Sequence, residues 1–262
     1  EKIEKYFGFD KAKIFWEISQ DAKQEVISRI NLYNIDCDFS PGIINTTINK
    51  YDTLELLNEV NNLENKYKYT KIQKLTSSEL SNIIETDVYD GGCLDLGAGH
   101  LNPLKFVQGL GIAAKKNKVQ IFEKSHVKKI DYGNKNTLFL SNGYKVICDF
   151  LIIACNGYLG NLEPHISSRV MPINNFIVTT EVLGNSLLNS FLKNNYAVAD
   201  NKFVPNYFRP SPDKRLIFGG GENYTYRFPK DIKKMVRKKM TKVYPQLNNT
   251  KIDFSWGGTL AV

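Results

Sequence analysis

Residues 149–157 read DFLIIACNG, an unbroken apolar run that ends in Asn156 and Gly157. Continuous rather than alternating hydrophobicity marks a strand buried on both faces of a parallel sheet, and such a strand points its carboxyl end at a ligand. The run therefore predicts an α/β layer with the Asn156-Gly157 end of the strand facing a ligand. Working upstream, VQIFEKS (119–125), HVKKID (126–131), TLFL (137–140) and YKVIC (144–148) read as strands, the last two joined across Ser141-Asn142-Gly143 as a hairpin. Working downstream, NFIVTTEVL (175–183) reads as a strand, a helix follows near Leu187, and FVPNYFRPSPDKRLIFGGG (203–221) reads as a long hairpin. A basic helix and a last strand in KIDFSWGGTLAV complete the chain.

The first hundred residues are more helical. Asp10 is the expected cap of an opening helix whose apolar face carries Ile14, Phe15, Ile18, Ala22, Val26, Ile27 and Ile30, a face that must pack on something. SPGIINTTIN (40–49) is a short strand, Asp52 with Glu55 resembles a capping box opening a helix over 52–67, and Thr76 with Glu79 opens a second short helix. The glycine-rich segment YDGGCLDLGAGHLNP (89–103) ends at Pro103, which suits the first turn of a helix over 104–117. Helices and strands alternate first and strands dominate later, which predicts an α/β nucleotide-type layer joined to an α+β layer.

Composition narrows the function classes. The 262 residues, 42% apolar and 12% aromatic, can bury a substantial core. No run approaches the length of a membrane span and no export signal opens the chain, so a cytoplasmic protein is expected. Cys37, Cys93, Cys148 and Cys155 show no CxxC spacing, and His100, His126 and His165 form no ligand cluster, so neither a metal site nor a disulfide framework is expected. The net charge of +8 draws much of its density from residues 229–245. There Ile232, Met235, Val236, Met240 and Val243 fall at helical spacing, leaving Lys233, Lys234, Arg237, Lys238 and Lys242 on a solvated face rather than in a nucleic-acid patch. The start at Glu1 and the end in an apolar strand-like run give both ends the look of a cut.

Several residues carry chemistry. GAGHLN (97–102) fails the dinucleotide pattern GxGxxG because position 102 is Asn. His100 within it is either a catalytic or ring-contacting group or an ordinary hydrogen-bonded loop histidine. Arg209, beside Tyr207 and Phe208, offers a fork that matches a carboxylate, although a hairpin-edge arginine facing water has the same spacing. Gly219, Gly220 and Gly221 end the following strand, where such a run usually means close approach or a bulge.

The strings at 90–104, 149–173 and 207–221, with IDCDFSPG (35–42) and the YPQL…KIDFSWGG ending, together resemble the FAD-dependent oxidoreductases of the D-amino-acid-oxidase, glycine-oxidase and sarcosine-oxidase superfamily. The resemblance implies an FAD-binding, partly Rossmann-like layer and an antiparallel-sheet substrate domain, interleaved as 1–40 and 100–172 for the first and 41–99 and 173–262 for the second. It places Val127 against the adenine, Ala154, Asn156 and Gly157 along the cofactor, and Tyr207 and Arg209 toward the flavin ring. Gly219 and Gly220 fall on the partner strand, and Gly258 approaches the isoalloxazine. It further implies oxidation of a small-molecule amine: a hydride leaves the carbon next to nitrogen, and the resulting imine hydrolyses. Arg209 would clamp the substrate carboxylate, with His100 near the ring. The family's N-terminal strand-GxGxxG-helix and its C-terminal glycine-proline segment have no counterpart in these residues, so the chain is expected to be an internal fragment that does not hold FAD stably. The rival expectations are a related sarcosine- or D-amino-acid-type oxidase or dehydrogenase, and a cofactor-less binding or assembly module on the same scaffold.

Overall fold

The computed structural model describes residues 2–225 and 227–262. Helices α1 (Lys2–Phe7) and α2 (Phe9–Leu32) meet at Gly8, whose φ of 81° lies in the left-handed region that glycine enters at no steric cost. Gly8, not Asp10, occupies the cap position of α2, and no side chain caps it. Then follow β1 (Ser40–Thr47), α3 (Lys50–Lys66), β2 (Ile72–Leu75), α4 (Ser77–Ser81), β3 (Gly91–His100) and α5 (Pro103–Lys116). Asn49 caps α3 by accepting from Asp52 N, so the helix starts two residues before the expected Asp52. The capping box of Thr76 and Glu79 is present in full, and Asn102 with Pro103 opens α5.

A meander of β4 (Val127–Asp131), β5 (Asn136–Leu140) and β6 (Lys145–Cys148) forms a three-stranded antiparallel sheet. The second half holds α6 (Pro164–Ser167), β7 (Pro172–Thr180), α7 (Gly184–Phe191), β8 (Ala197–Asp200), β9 (Tyr207–Pro210), β10 (Leu216–Asn223), α8 (Ile232–Val243) and β11 (Ile252–Ala261). Eight strands join in one sheet in the order β11-β7-β10-β9-β8-β1-β3-β2. Its only parallel pairing among the described residues is β1 with β8. The architecture is thus the expected mixture of α/β and α+β, with a large mixed sheet and a small antiparallel one.

One face of the large sheet carries the main core. Ile44, Leu94, Phe176, Val178, Val198, Phe208, Leu216 and Phe218 point to it from the strands and meet Val236, Met240 and Val243 of α8, as the spacing in that basic helix predicts. Phe208 and Phe218 stack with centroids 5.4 Å apart and planes 2° from parallel, and Tyr244 closes on Phe208 edge-on. On the opposite face α3 packs on β1, β3 and β2 at one end of the sheet, burying Val60, Ile72 and Cys93. Most of that face, over β9, β10, β7 and β11, has no helix packed on it among the described residues.

Three expectations fail, two of them for one physical reason. Residues 149–155 form no strand: Phe150 is 91% and Ile152 87% exposed, and only Asn156–Tyr158 is ordered as a turn of 3₁₀ helix. Residues 119–125 are likewise unpaired, with Phe122 71% exposed. The stripe of α2 leaves Ile14, Phe15 and Ile18 exposed and buries Ala12 alone. A parallel strand exists only through hydrogen bonds to neighbours, and an apolar run cannot supply them itself. No described strand runs beside either segment, so the sequence pattern survives without the structure it encodes.

Candidate active site

Strand alternation decides what the open sheet face displays. Phe208 and Pro210 of β9 turn into the core, which sends Tyr207 and Arg209 to the other side. Across the hairpin Arg209 lies opposite Ile217 and Tyr207 opposite Gly219. The Tyr207 ring lies over Gly219: a Cβ there would come within 2.1 Å of the ring. The phenol continues past β10 and donates to Asn175 Oδ1 on β7. Burial pushes the Tyr207 phenol up to about 12, so it is neutral in the physiological range. Asn175 in turn pairs with Gly258 of β11, where a Cβ would find only the Tyr158 hydroxyl, at 3.7 Å. Tyr207, Asn175 and Gly258 therefore make a flat strip, with the Tyr207 ring lying on Gly219 and bare backbone at Gly258.

Arg209 and His100 meet at one end of this face. Arg209 Nη2 donates to the Leu101 carbonyl at 3.2 Å and Nη1 to the Pro210 carbonyl at 3.4 Å, leaving donors of the fork uncommitted. Burial lowers the guanidinium pKa, and the charge of Asp38 works in the opposite direction. His100, the last residue of β3, brings Nε2 to 2.7 Å from the Asn195 carbonyl. A carbonyl only accepts, so Nε2 carries the hydrogen and Nδ1 keeps a lone pair, buried and without a partner among the described residues. Burial lowers the His100 pKa; the Asn195 bond opposes this and the charge of Arg209 adds to it.

The other end is closed by residues 156–158. Asn156 stands at φ 51° and its Oδ1 accepts from Gly157 N and from Ala261 N of β11, both at 2.8 Å. Gly157 touches β11 so closely that a Cβ would lie 2.8 Å from the Leu260 carbonyl oxygen. Asn156, Gly157 and Gly258 are thus brought together. Gly220 points elsewhere: a Cβ there would meet Asn206 Oδ1 at 2.9 Å and Lys239 Cδ at 3.2 Å. Ala154 lies in the exposed extended run. Val127 sits on the small sheet, where with Phe122, Leu138, Leu140, Tyr144 and Val146 it lines a cavity of about 610 Å³.

Sequence reasoning missed Asn175, Asn195 and Asp38. An asparagine pair inside an otherwise apolar strand, Asn174-Asn175, is the signal that could have found the first. Asn174 faces inward, accepting from Thr259 Oγ1 at 2.7 Å, while Asn175 faces out.

The family model described as DAO, FAD dependent oxidoreductase, matches residues 5–262. The chain belongs to this family. Gamma-glutamylputrescine oxidoreductase of Escherichia coli strain K12 is 32% identical over 257 residues, 98% of this chain and 60% of its own length. The chain therefore spans about three-fifths of that relative. Among solved structures, glycine oxidase from Geobacillus kaustophilus aligns at a TM-score of 0.73 and 16% identity, over 94% of this chain and 65% of its own. L-alpha-glycerophosphate oxidase from Mycoplasma pneumoniae, solved with FAD bound, aligns at 0.70 and 18% identity, over 92% and 68%. At such identities these two share the fold. FAD is the cofactor of the DAO family, and the strip fits a planar ring at Gly258, where a Cβ would meet only the Tyr158 hydroxyl, at 3.7 Å. Among the described residues no helix is long and apolar enough to cross a membrane.

Proposed function

We propose that this chain forms the substrate-facing side of an FAD-dependent oxidase or dehydrogenase for an amine that also carries a carboxylate, of the gamma-glutamylputrescine type. The observation that carries the proposal is Arg209: a half-buried guanidinium with free donors, on the open sheet face beside Tyr207 and the glycine strip. A buried fork of this kind recognises a carboxylate far more strongly than one in water does. FAD, when bound, supplies the two-electron acceptor for the hydride that leaves the carbon next to the amine nitrogen. Gly258 lets the ring approach the backbone and Gly219 carries the Tyr207 ring, with Ala154, Asn156 and Gly157 along the cofactor and Val127 beside the adenine in its apolar cavity. Tyr207 walls the substrate channel and His100 holds the corner behind Arg209. Water then completes hydrolysis of the imine. The E. coli relative's name supports the substrate class, and a role in polyamine catabolism follows from the same reading.

The test is anaerobic flavin spectroscopy on the FAD-loaded product of the intact open reading frame. Bleaching of the yellow band by gamma-glutamylputrescine is the expected result. Bleaching by glycine, sarcosine or proline alone would move the substrate to a smaller amine. A band unchanged by every amine would overturn the proposal.

A further inference from the structure

The geometry points to Asn175 as a positioning residue that locks Tyr207 across Gly219, so that the phenol oxygen turns its lone pairs, not its proton, toward the substrate's amine nitrogen. This rests on the amine-oxidation reading above and adds to it a residue and a direction of hydrogen bonding.

Tyr207 and Asn175 are not cross-strand neighbours. β10 separates their strands, so the two backbones stand roughly 9.6 Å apart, two strand spacings. A side chain bridges that distance only by lying flat on the sheet, and any residue larger than glycine at 219 would block the ring, as the 2.1 Å approach shows. The bridge therefore needs three things at once: tyrosine on β9, glycine on β10 and an acceptor on β7. β7 supplies it at the one position of the Asn174-Asn175 pair that faces outward. The next outward residue, Ile177, has no polar atom.

A phenol has one proton and two lone pairs. With the proton committed to Asn175 Oδ1, only acceptor capacity remains for a third group. The phenol keeps that proton because burial raises its pKa. An amine nitrogen with an N–H presented to this oxygen is thereby oriented, and its own lone pair stays free to align with the C–H bond that must break. A tyrosine free to rotate its proton would instead offer a donor to the nitrogen lone pair and take it out of that alignment.

The test is a double-mutant cycle of Asn175→Leu and Tyr207→Phe in the FAD-loaded protein, with Asn175→Asp as the conservative variant. Asn175→Leu is expected to lower kcat by about two- to tenfold, the scale of one hydrogen bond, with a smaller change in KM. It is expected to add nothing in the Tyr207→Phe background, because it acts through that phenol. Asn175→Asp, which still accepts the proton, is expected to retain kcat. Independently of turnover, the wild-type minus Tyr207→Phe ultraviolet resonance Raman difference isolates the Tyr207 doublet. A proton-donor pattern, kept in Asn175→Asp and lost in Asn175→Leu, is expected. Full additivity in the cycle, or a proton-acceptor pattern in the wild type, overturns this inference alone. A wild-type flavin that no amine bleaches takes down the amine-oxidation reading and this inference together.

Discussion

Arg209 gains its role from desolvation rather than from being charged. On an edge facing water the same side chain would bind a carboxylate weakly, because exposed ion pairs are worth little. Half-buried beside the Leu101 carbonyl, it retains free donors where water is scarce. Arg209→Lys keeps the charge and loses the fork. It is expected to raise KM for gamma-glutamylputrescine by about 10- to 150-fold, the value of a charged hydrogen bond, while KM for carboxylate-free putrescine hardly moves. An equal loss on both amines would remove the clamp. His100 supplies a second prediction at this scale. Its pKa in the fold lies below the ordinary 6.5, chiefly through burial. The folded protein therefore binds this proton less readily than the unfolded chain, so stability is full above about 6.5 and falls as pH drops through the folded-state value. His100→Gln is expected to flatten that acid limb in denaturant midpoints measured between pH 5 and 8. Superimposable profiles for variant and wild type would sink the assignment. His100, Tyr207 and Arg209 were visible in the sequence as residue types. That Nδ1 would lack a partner, or that Arg209 would reach Leu101, depends on strands far apart in the chain and was not.

Among the elements, those set by local rules follow the sequence closely. The basic helix buries Val236, Met240 and Val243, the Thr76 capping box closes, and the hairpin of β9 and β10 falls within the expected 203–221. Each depends on contacts within a few residues, so the pattern carries the information. Strand position within the sheet does not: β7 lies between β11 and β10, and β1 pairs in parallel with β8, more than 150 residues on by number. The stacked Phe208–Phe218 pair shows what this placement does energetically, since it joins β9 to β10 over Tyr244. Phe218 is fully buried, so Phe218→Ala is expected to cost about 3–5 kcal/mol. A shift in the urea midpoint at unchanged slope would measure it. A cost below about 1 kcal/mol would mean that the stack is not part of the cooperative core.

At the scale of the whole molecule, the described surface is uneven. Ile14, Phe15 and Ile18 of α2, Leu104, Val107 and Ile112 of α5, and Phe122, Phe150 and Ile152 in the extended segments are all exposed. Apolar residues clustered on one element's face mark surfaces that associate. The 262-residue chain by itself is expected to bind an apolar-surface dye and to self-associate at micromolar concentration, and Phe150→Asp with Ile152→Asp to reduce both. A monodisperse monomer by light scattering, indifferent to those substitutions, would contradict this. The sequence by itself determined the periodicity of the basic helix, the Thr76 capping box, the hairpins and the family, because these rest on local spacing and on strings of residues. Only the tertiary structure decided that DFLIIACNG lies unpaired, that Gly220 turns toward α8 while Gly219 underlies Tyr207, and that Asn175 meets a tyrosine two strands away. The physical reason is that a strand has no partner, face or burial until other strands are placed beside it, and that placement is a property of the folded chain as a whole.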